Sequence, residues 1–435
     1  MLMKSVWSDM VKLPKREPLK GNLSTEVLII GGGMAGILCA LRLGQAEVPY
    51  VLVEADTVCS GVTKNTTAKI TSQHGLIYSS LLGRFGAEYA KLYLEANEAA
   101  LKEYRRLCDE IDCDFEEKES AVYSLNNRRK IEKEMEALRK IGCQAKFMGE
   151  LPLPFPIAGA VGFSRQAQFN PLKFVNAISD ELNIYEHTKI LELTERGAVT
   201  GGGIISADKI IVATHFPFIN KHGSYFLKQY QHRSYVIAFE NAPNVGGMYV
   251  DEASKGMSFR NYGDLLLIGG GGCRTGKKGG KWQEIRNFAK KYYPEAKEKF
   301  YWAAQDCMSL DKVPYIGKYS GRTADFYVAT GFNKWGMTSS MVAAIILCDA
   351  VRGIENPWAK VFSPSRSILR PQLFANAFEA AVNLLTPTKK RCPHLGCALK
   401  WNPQEHSWDC PCHGSRFTET GELIDNPATD DLFLK

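Results

Sequence analysis

Residues 25–56 read TEVLIIGGGMAGILCALRLGQAEVPYVLVEAD, and this stretch limits the fold more than any other. "EVLII" is an unbroken apolar run, as in a strand buried on both faces. Gly31, Gly33 and Gly36 follow as G-x-G-x-x-G. "MAGILCALRLG" then reads as a helix closed by Gly44, and "YVLVEAD" as a second strand ending at Glu54. Each glycine has a separate task. Gly31 makes the tight turn, Gly33 lets backbone approach a pyrophosphate, and Gly36 lets helix and strand pack closely; the helix N-terminus, opened by Met34 and Ala35, faces the phosphates. Glu54, followed by Ala55, lies 18 residues beyond Gly36, where a carboxylate reaches ribose hydroxyls. A lone glycine triplet is a turn. In register with strand, helix, strand and acid it specifies a dinucleotide site in an α/β fold.

The next segments bear on which dinucleotide. "CSGVTKNTTAKITSQHG" (59–75) is rich in hydroxyls and glycine where a nicotinamide domain would continue into a regular helix. An irregular path suits a flavin, whose ring lies far from its adenine; a polar surface loop is the plainer reading. Later, 184–218 reads as a β-meander closing on the strand "KIIVAT", which carries Ala213 and Thr214. "DFYVATGFNKWGMTSSMVAAIILCDAVRG" (325–353) gives a further strand, a turn through Gly331, and an apolar helix opening at Gly336, Met337 and Thr338. That helix could aim its dipole at a reduced isoalloxazine.

From about 20 to 365 these segments resemble the D-amino-acid-oxidase-like FAD-dependent oxidoreductases. The resemblance implies a glutathione-reductase-type FAD domain, with Gly31, Gly33, Gly36 and Glu54 on the AMP half and Ile190 against the adenine. It also implies Thr66, Thr67 and Ala68 along the path to the ring. Such domains are assembled from separated pieces, here 20–75, 160–230 and 310–365. The intervening 76–159 and 231–309 are expected to form a mostly antiparallel substrate domain. Within it, 84–111 and 126–142 have helical apolar spacing, and 234–240 and 264–272 read as strands. His232, Arg233 and Tyr235 in "QHRSYV", and Arg260 and Tyr262 in "FRNY", are candidates for orienting a small substrate, against the plainer reading of packing residues. Cys307 stands in "QDCMS", where some amine-oxidising relatives attach flavin covalently; a lone buried thiol is the expectation here.

The tail is of another kind. RCPHLGCALKWNPQEHSWDCPCHGSRF (391–417) holds Cys392-x-His394 and Cys410-x-x-His413. Two thiolates and two imidazoles suit tetrahedral zinc or a Rieske [2Fe–2S] centre. Each loop carries one further cysteine, Cys397 and Cys412, and a glycine just past its histidine. A zinc site has no use for these, which favours the cluster. The two halves resemble the Rieske pattern C-x-H-x-G-C … C-x-C-H-G-S, and that resemblance implies a Cys397–Cys412 disulfide between the loops. Only about 25 residues separate "FSPSR" from Cys392, too few for a full base sheet. The span 366–435 is therefore expected to be a linker and a truncated all-β module leaning on the flavoprotein. Phe417 stands where respiratory Rieske proteins have tyrosine, so one hydroxyl near the cluster is lost and its potential should lie below the top of the Rieske range.

Composition closes off other classes. A net charge of +7 over 435 residues, with no concentrated basic stretch, does not suggest nucleic acid, and "RTGKKGGKW" reads as a solvated loop. No apolar run is long enough to span a bilayer, and no secretory signal is visible, so a cytoplasmic protein is expected. Both ends together resemble bacterial FAD-dependent oxidoreductases with a C-terminal Rieske domain. That implies oxidation of a small substrate, an amine or amino acid, with electrons leaving singly through the cluster to a protein or quinone. An oxidase with a structural cluster, reversed flow, and a non-catalytic redox module are the alternatives.

Overall fold

The computed structural model describes residues 3–219 and 222–432. The first sheet is built around Leu23–Ile30, flanked by Tyr50–Val53 and then Ile184–Tyr185 on one side and by Ile204–Val212 and then Thr323–Thr330 on the other, all parallel. Tyr315–Ser320 closes one edge antiparallel, and Ile190–Thr194 and Gly197–Thr200 form the expected meander onto Ile204–Val212. Alternation along the central strand divides its side chains between two cores. Val27 and Ile29 pack with the helices Met34–Gln45 and Gly336–Val351, whereas Leu28 and Ile30 pack with Ile205, Val212 and Tyr225. The continuous apolar run is thereby explained, since both faces are covered.

The second sheet has nine strands and is mostly antiparallel. Its order is Lys297–Ser309, Gln229–Glu240, Leu265–Arg274, Ser258–Tyr262, Met248–Asp251, Glu116–Ser124, Gly159–Gln168 and Lys69–Ile70, with Lys146–Met148 beside Gly159–Gln168. The expected helices form as Ala87–Cys108 and Arg128–Lys140, and Gly86, at φ +87°, separates the first from Tyr78–Phe85. Lys69–Ile70 and all of Gly159–Gln168 beyond its first residue join this sheet, although their numbers fall in spans expected to belong to the dinucleotide domain. Gly159–Gln168 pairs along its length with Glu116–Ser124, so long-range pairing overrides the division by sequence position.

The C-terminal part begins with the helix Pro371–Leu385 and continues into four short antiparallel strands, Lys400–Asn402, Ser407–Asp409, Arg416–Thr418 and Leu423–Asp425. Its buried cluster is small: Cys392, Cys397, Leu399, Cys410, Cys412, Phe417, Ala428 and Leu432. Half of these are cysteines, so this lobe has little apolar area of its own and relies on what its sulfurs bind and on the body beneath it.

Candidate functional site

The glycine loop is held by contacts that only glycine permits. Gly31 has φ +110°, and a Cβ there would lie 2.7 Å from the Ala213 carbonyl oxygen. A Cβ on Gly36 would overlap the Gly31 carbonyl oxygen. Gly33 caps the helix Met34–Gln45 and faces open space, with Thr63 Oγ1 nearest at 3.5 Å from a Cβ built there. Thr63 Oγ1 accepts from the Met34 N–H at 3.1 Å. The Glu54 carboxylate accepts from the Gly32 N–H at 2.6 Å and the Asp56 N–H at 2.9 Å, and burial raises its pKa against those donors.

A cavity of about 1270 Å³ starts at this loop. Its wall includes Gly31, Gly33, Met34, Ala35, Glu54, Ala55, Ile190, Ala213 and Thr214 at one end, Thr66 and Thr67 midway, and Gly336 and Met337 further on. The helix Gly336–Val351 thus opens into it with its positive end. Gly36, Ala68, Gly331 and Thr338 do not line it. Gly36 serves packing; Gly331, at φ +71°, makes a turn; and Thr338 Oγ1 donates to the Thr71 carbonyl at 2.9 Å, fastening the helix to the strand Lys69–Ile70. Residues 65–68 are gripped from outside. Trp302 Nε1 donates to Asn65 O, Trp7 Nε1 to Thr66 O, and Arg260 Nη1 to Thr67 O at 2.7 Å and Ala68 O at 3.0 Å.

Two of the candidates lie off the cavity wall. Arg260 is wholly buried and spent on backbone carbonyls, so it positions the loop and does not meet the cavity. Tyr262 donates to Asp114 at 2.6 Å and accepts from Asn170 at 2.9 Å, also away from it. His232 does line the cavity, with Nδ1 buried and without a hydrogen-bond partner among the described residues; burial, then Lys334, lowers its pKa to about 3. Arg233 and Tyr235 reach the cavity wall, but both hydrogen-bond to Glu405 of the C-terminal lobe.

Other residues of the wall carry chemistry that the sequence did not announce. Lys69 is buried, 3.3 Å from Thr67 Oγ1, and burial, then Arg260, lowers its pKa to about 7. Asn333 and Lys334 both have positive φ, +53° and +74°, and the Asn333 side chain is pinned by the Ser309 N–H at 2.9 Å. Lys334 is wetted by the cavity yet ringed by protein, and this enclosure lowers its pKa. Strain next to a helix N-terminus is typical of functional sites. Cys307 also lines the cavity; burial pushes its thiol up to about 12, so little thiolate exists at neutral pH.

Beyond the cavity wall lies the cysteine and histidine cluster. The sulfurs of Cys397, Cys410 and Cys412 lie within 4.8 Å of one another, and Cys392 Sγ adjoins Cys410 and Ser415. The rings of His394 and His413 are 5.0 Å apart, edge to face. His413 Nδ1 is buried without a hydrogen-bond partner among the described residues, which fits a ring nitrogen that binds a metal. Burial, then His413, lowers the His394 pKa to about 4, leaving the neutral ring that coordination needs. The sulfurs of Cys397 and Cys412 lie within 4.8 Å of each other and of Cys410, both as free thiols, so this structure does not show the disulfide that the resemblance implies.

The cluster loops rest on the flavoprotein body. His413 lies between the rings of Phe216 and Phe226, at 6.4 and 6.2 Å. Arg274 donates to Pro411 O and Cys412 O, both at 2.8 Å, and Gln305 Nε2 donates to Gly414 O at 2.9 Å. Arg233 and Arg416 both pair with Glu405, whose side chain is 1% exposed. Lys281 Nζ, almost fully buried, bonds Asn402. The two ends of the stretch 274–282 are therefore covered, whereas its middle, residues 277–280, is exposed as expected of a solvated loop. Arg274, Gln305 and Glu405 carried no sequence signal, because each acts only across the interface.

Comparison with known proteins agrees with both halves. The sequence profile of the family "FAD dependent oxidoreductase" matches residues 26–350, and that of the "Rieske [2Fe-2S] domain" matches 382–434. A Bacillus subtilis protein described as a Rieske 2Fe-2S iron-sulfur protein, YhfW, is 34% identical over 493 aligned positions, covering 98% of this chain and 96% of its own. The cytochrome b6-f complex iron-sulfur subunit of Nostoc punctiforme is 49% identical over 43 residues, 10% of this chain and 24% of its own. In fold, glycine oxidase from Geobacillus kaustophilus superimposes with a TM-score of 0.67 at 20% identity, over 79% of this chain and 99% of its own. L-proline dehydrogenase from P. horikoshii gives 0.65 at 16% identity, over 80% and 98%.

Proposed function

Since the chain belongs to the FAD-dependent oxidoreductases and carries a Rieske [2Fe-2S] domain, we propose that it oxidises a small amine or amino acid and converts a two-electron oxidation into single-electron steps. FAD supplies hydride acceptance, and the iron–sulfur cluster supplies one-electron transfer. Everything else falls to the chain. Gly31, Gly33 and the helix at Met34 would hold the pyrophosphate, and Glu54 would take the ribose. Arg260, Trp7 and Trp302 fix residues 65–68 so that the flavin path keeps its shape. The N-terminus of Gly336–Val351 offers partial positive charge to the ring system. Substrate is oriented by the groups left open on the wall, His232, Lys69 and Lys334; a carboxylate would meet either lysine favourably. Cys392, His394, Cys410 and His413 would hold the cluster.

One observation carries the reading: the segment Ala213–Phe216 touches both the cavity and the cysteine and histidine cluster. Thr214 lines the cavity, while Phe216 lies against His413. Gln305 repeats the pattern, lining the cavity and bonding Gly414. Residues of the lobe, Leu423 to Asn426 among them, also close the cavity. This last feature would equally suit an oxidase whose cluster is structural. Anaerobic mixing with a panel of amines and amino acids separates the two. The expected result is flavin bleaching followed by the paramagnetic signal of a reduced cluster. Flavin that is fully reduced beside a cluster that stays oxidised, and that reoxidises rapidly in air, would sink the converter reading.

A further inference from the structure

The helix Pro371–Leu385 is inside out. Its polar side chains face the protein: Asn376 accepts from Arg274 at 2.8 Å, Glu379 pairs with Lys277 at 2.6 Å, and Asn383 is 2% exposed. Its apolar side chains face outward. Phe374, Phe378 and Leu385 are 67%, 72% and 81% exposed, and Val382 completes the same stripe at i, i+4, i+8 and i+11. Scattered exposed hydrophobics need no explanation, but a contiguous stripe does. At 15 residues the helix is about 22 Å long, and no helix among the described residues is long and apolar enough to cross a membrane.

The charge around the stripe narrows its occupant. From 380 to 404 the chain has four Lys or Arg and no acid, and Lys389, Arg391 and Lys400 are exposed. The one acid on the helix, Glu379, is tucked under it with Lys277. An apolar stripe with a basic margin and no exposed acid suits an anionic lipid surface. Two copies of this chain, face to face, would set basic margins against each other. Arg391 also donates to Leu384 O at 3.2 Å and Gly396 O at 2.8 Å, stitching the end of the helix to the loop that carries His394 and the exposed Leu395.

We propose that the outward face of Pro371–Leu385 is a membrane-docking surface that lays this helix in the headgroup region of an anionic bilayer, with the His394 loop against the lipid. Binding needs neither substrate nor turnover, so it is tested separately from the redox function. Holoprotein is floated with vesicles of phosphatidylcholine alone or with about one third phosphatidylglycerol, and followed by its visible absorbance. Flotation is expected with the anionic vesicles, weaker at high salt and weaker on neutral lipid. The variant F374S/F378S/L385S should lower the bound fraction by roughly tenfold or more. K389E/K400E should weaken only the anionic-lipid component, with an unchanged visible spectrum, and this second variant covers the case in which the first folds poorly. Holoprotein left at the bottom with millimolar anionic lipid would overturn the proposal. So would a dimer by light scattering that F374S/F378S/L385S makes monomeric while vesicle binding is absent, since the stripe would then be covered by a second copy.

Discussion

Replacing Glu405 with glutamine tests how the C-terminal lobe is held. The carboxylate accepts from Arg233, from Arg416 Nη2 at 2.8 Å, from Tyr235 OH at 2.9 Å and from Asn402 at 3.1 Å. Arg416 keeps Asp409 at 3.0 Å and Asp425 at 2.9 Å after the change, but Arg233, 7% exposed, keeps only Asp425 at 3.9 Å. Removing one partner of a buried pair costs about 3–5 kcal/mol. Linkage gives a similar figure. Burial would raise the Glu405 pKa, yet Arg233 and Arg416 outweigh it and hold it down to about 2, from 4.5. At about 1.36 kcal/mol per pKa unit this is on the order of 3 kcal/mol. Because the folded pKa is depressed, that contribution is whole above about pH 4.5 and is lost as pH falls towards 2. A melt of the cluster's visible circular dichroism at pH 7 should fall by about 10 °C or more in E405Q, since a unit of 60–100 residues shifts about 4–8 °C per kcal/mol. The flavin transition should move less, and acid should loosen the wild-type lobe more steeply than the variant's. A cluster melt within about 2 °C of wild type would refute the claim that this network docks the lobe.

Three other outcomes are expected. Gly36→Ala should lower FAD retention at least tenfold, read as flavin per chain after gel filtration, because its Cβ overlaps the Gly31 carbonyl and the backbone has to shift. Arg274→Ala should lower iron per chain while leaving flavin bound, since two carbonyls of the Cys410–Gly414 loop lose their donor. Acid precipitation should leave the flavin in the supernatant, because the Cys307 thiol is held protonated; flavin kept in the pellet, and freed by Cys307→Ser, would reverse that.

What the sequence made legible is what short spacing dictates. The glycine loop, Glu54 and the four proposed cluster ligands lie within local motifs, and their chain order already implies their geometry. Arg233 and Tyr235 were noticed for a reason unrelated to their contacts, since their partner Glu405 lies 170 residues or more further along the chain. In the sequence Arg260 is a candidate to orient a small substrate, whereas in the structure its guanidinium is spent on three backbone carbonyls. Gly159–Gln168 was assigned by position, and its pairing with Glu116–Ser124 is a long-range choice that alternation alone does not reveal. Lys69 and Lys334 gave no signal, as nothing in their local composition distinguishes a cavity lysine from a solvated one.

The tight seat of the second cluster loop has a consequence for what can stand beneath it. A Cβ on Gly414 would run into Gln231, and one on Gly276 into Pro411, so the lobe and the body meet with no slack. Cys392, Cys397, Cys410 and Cys412 are each 1–2% exposed once seated, and His413 is 7% exposed. A side chain at either glycine would have to lift the loop that carries Cys410 and His413, so where those two residues stand depends on the body's Gln231 and on the residue at position 276.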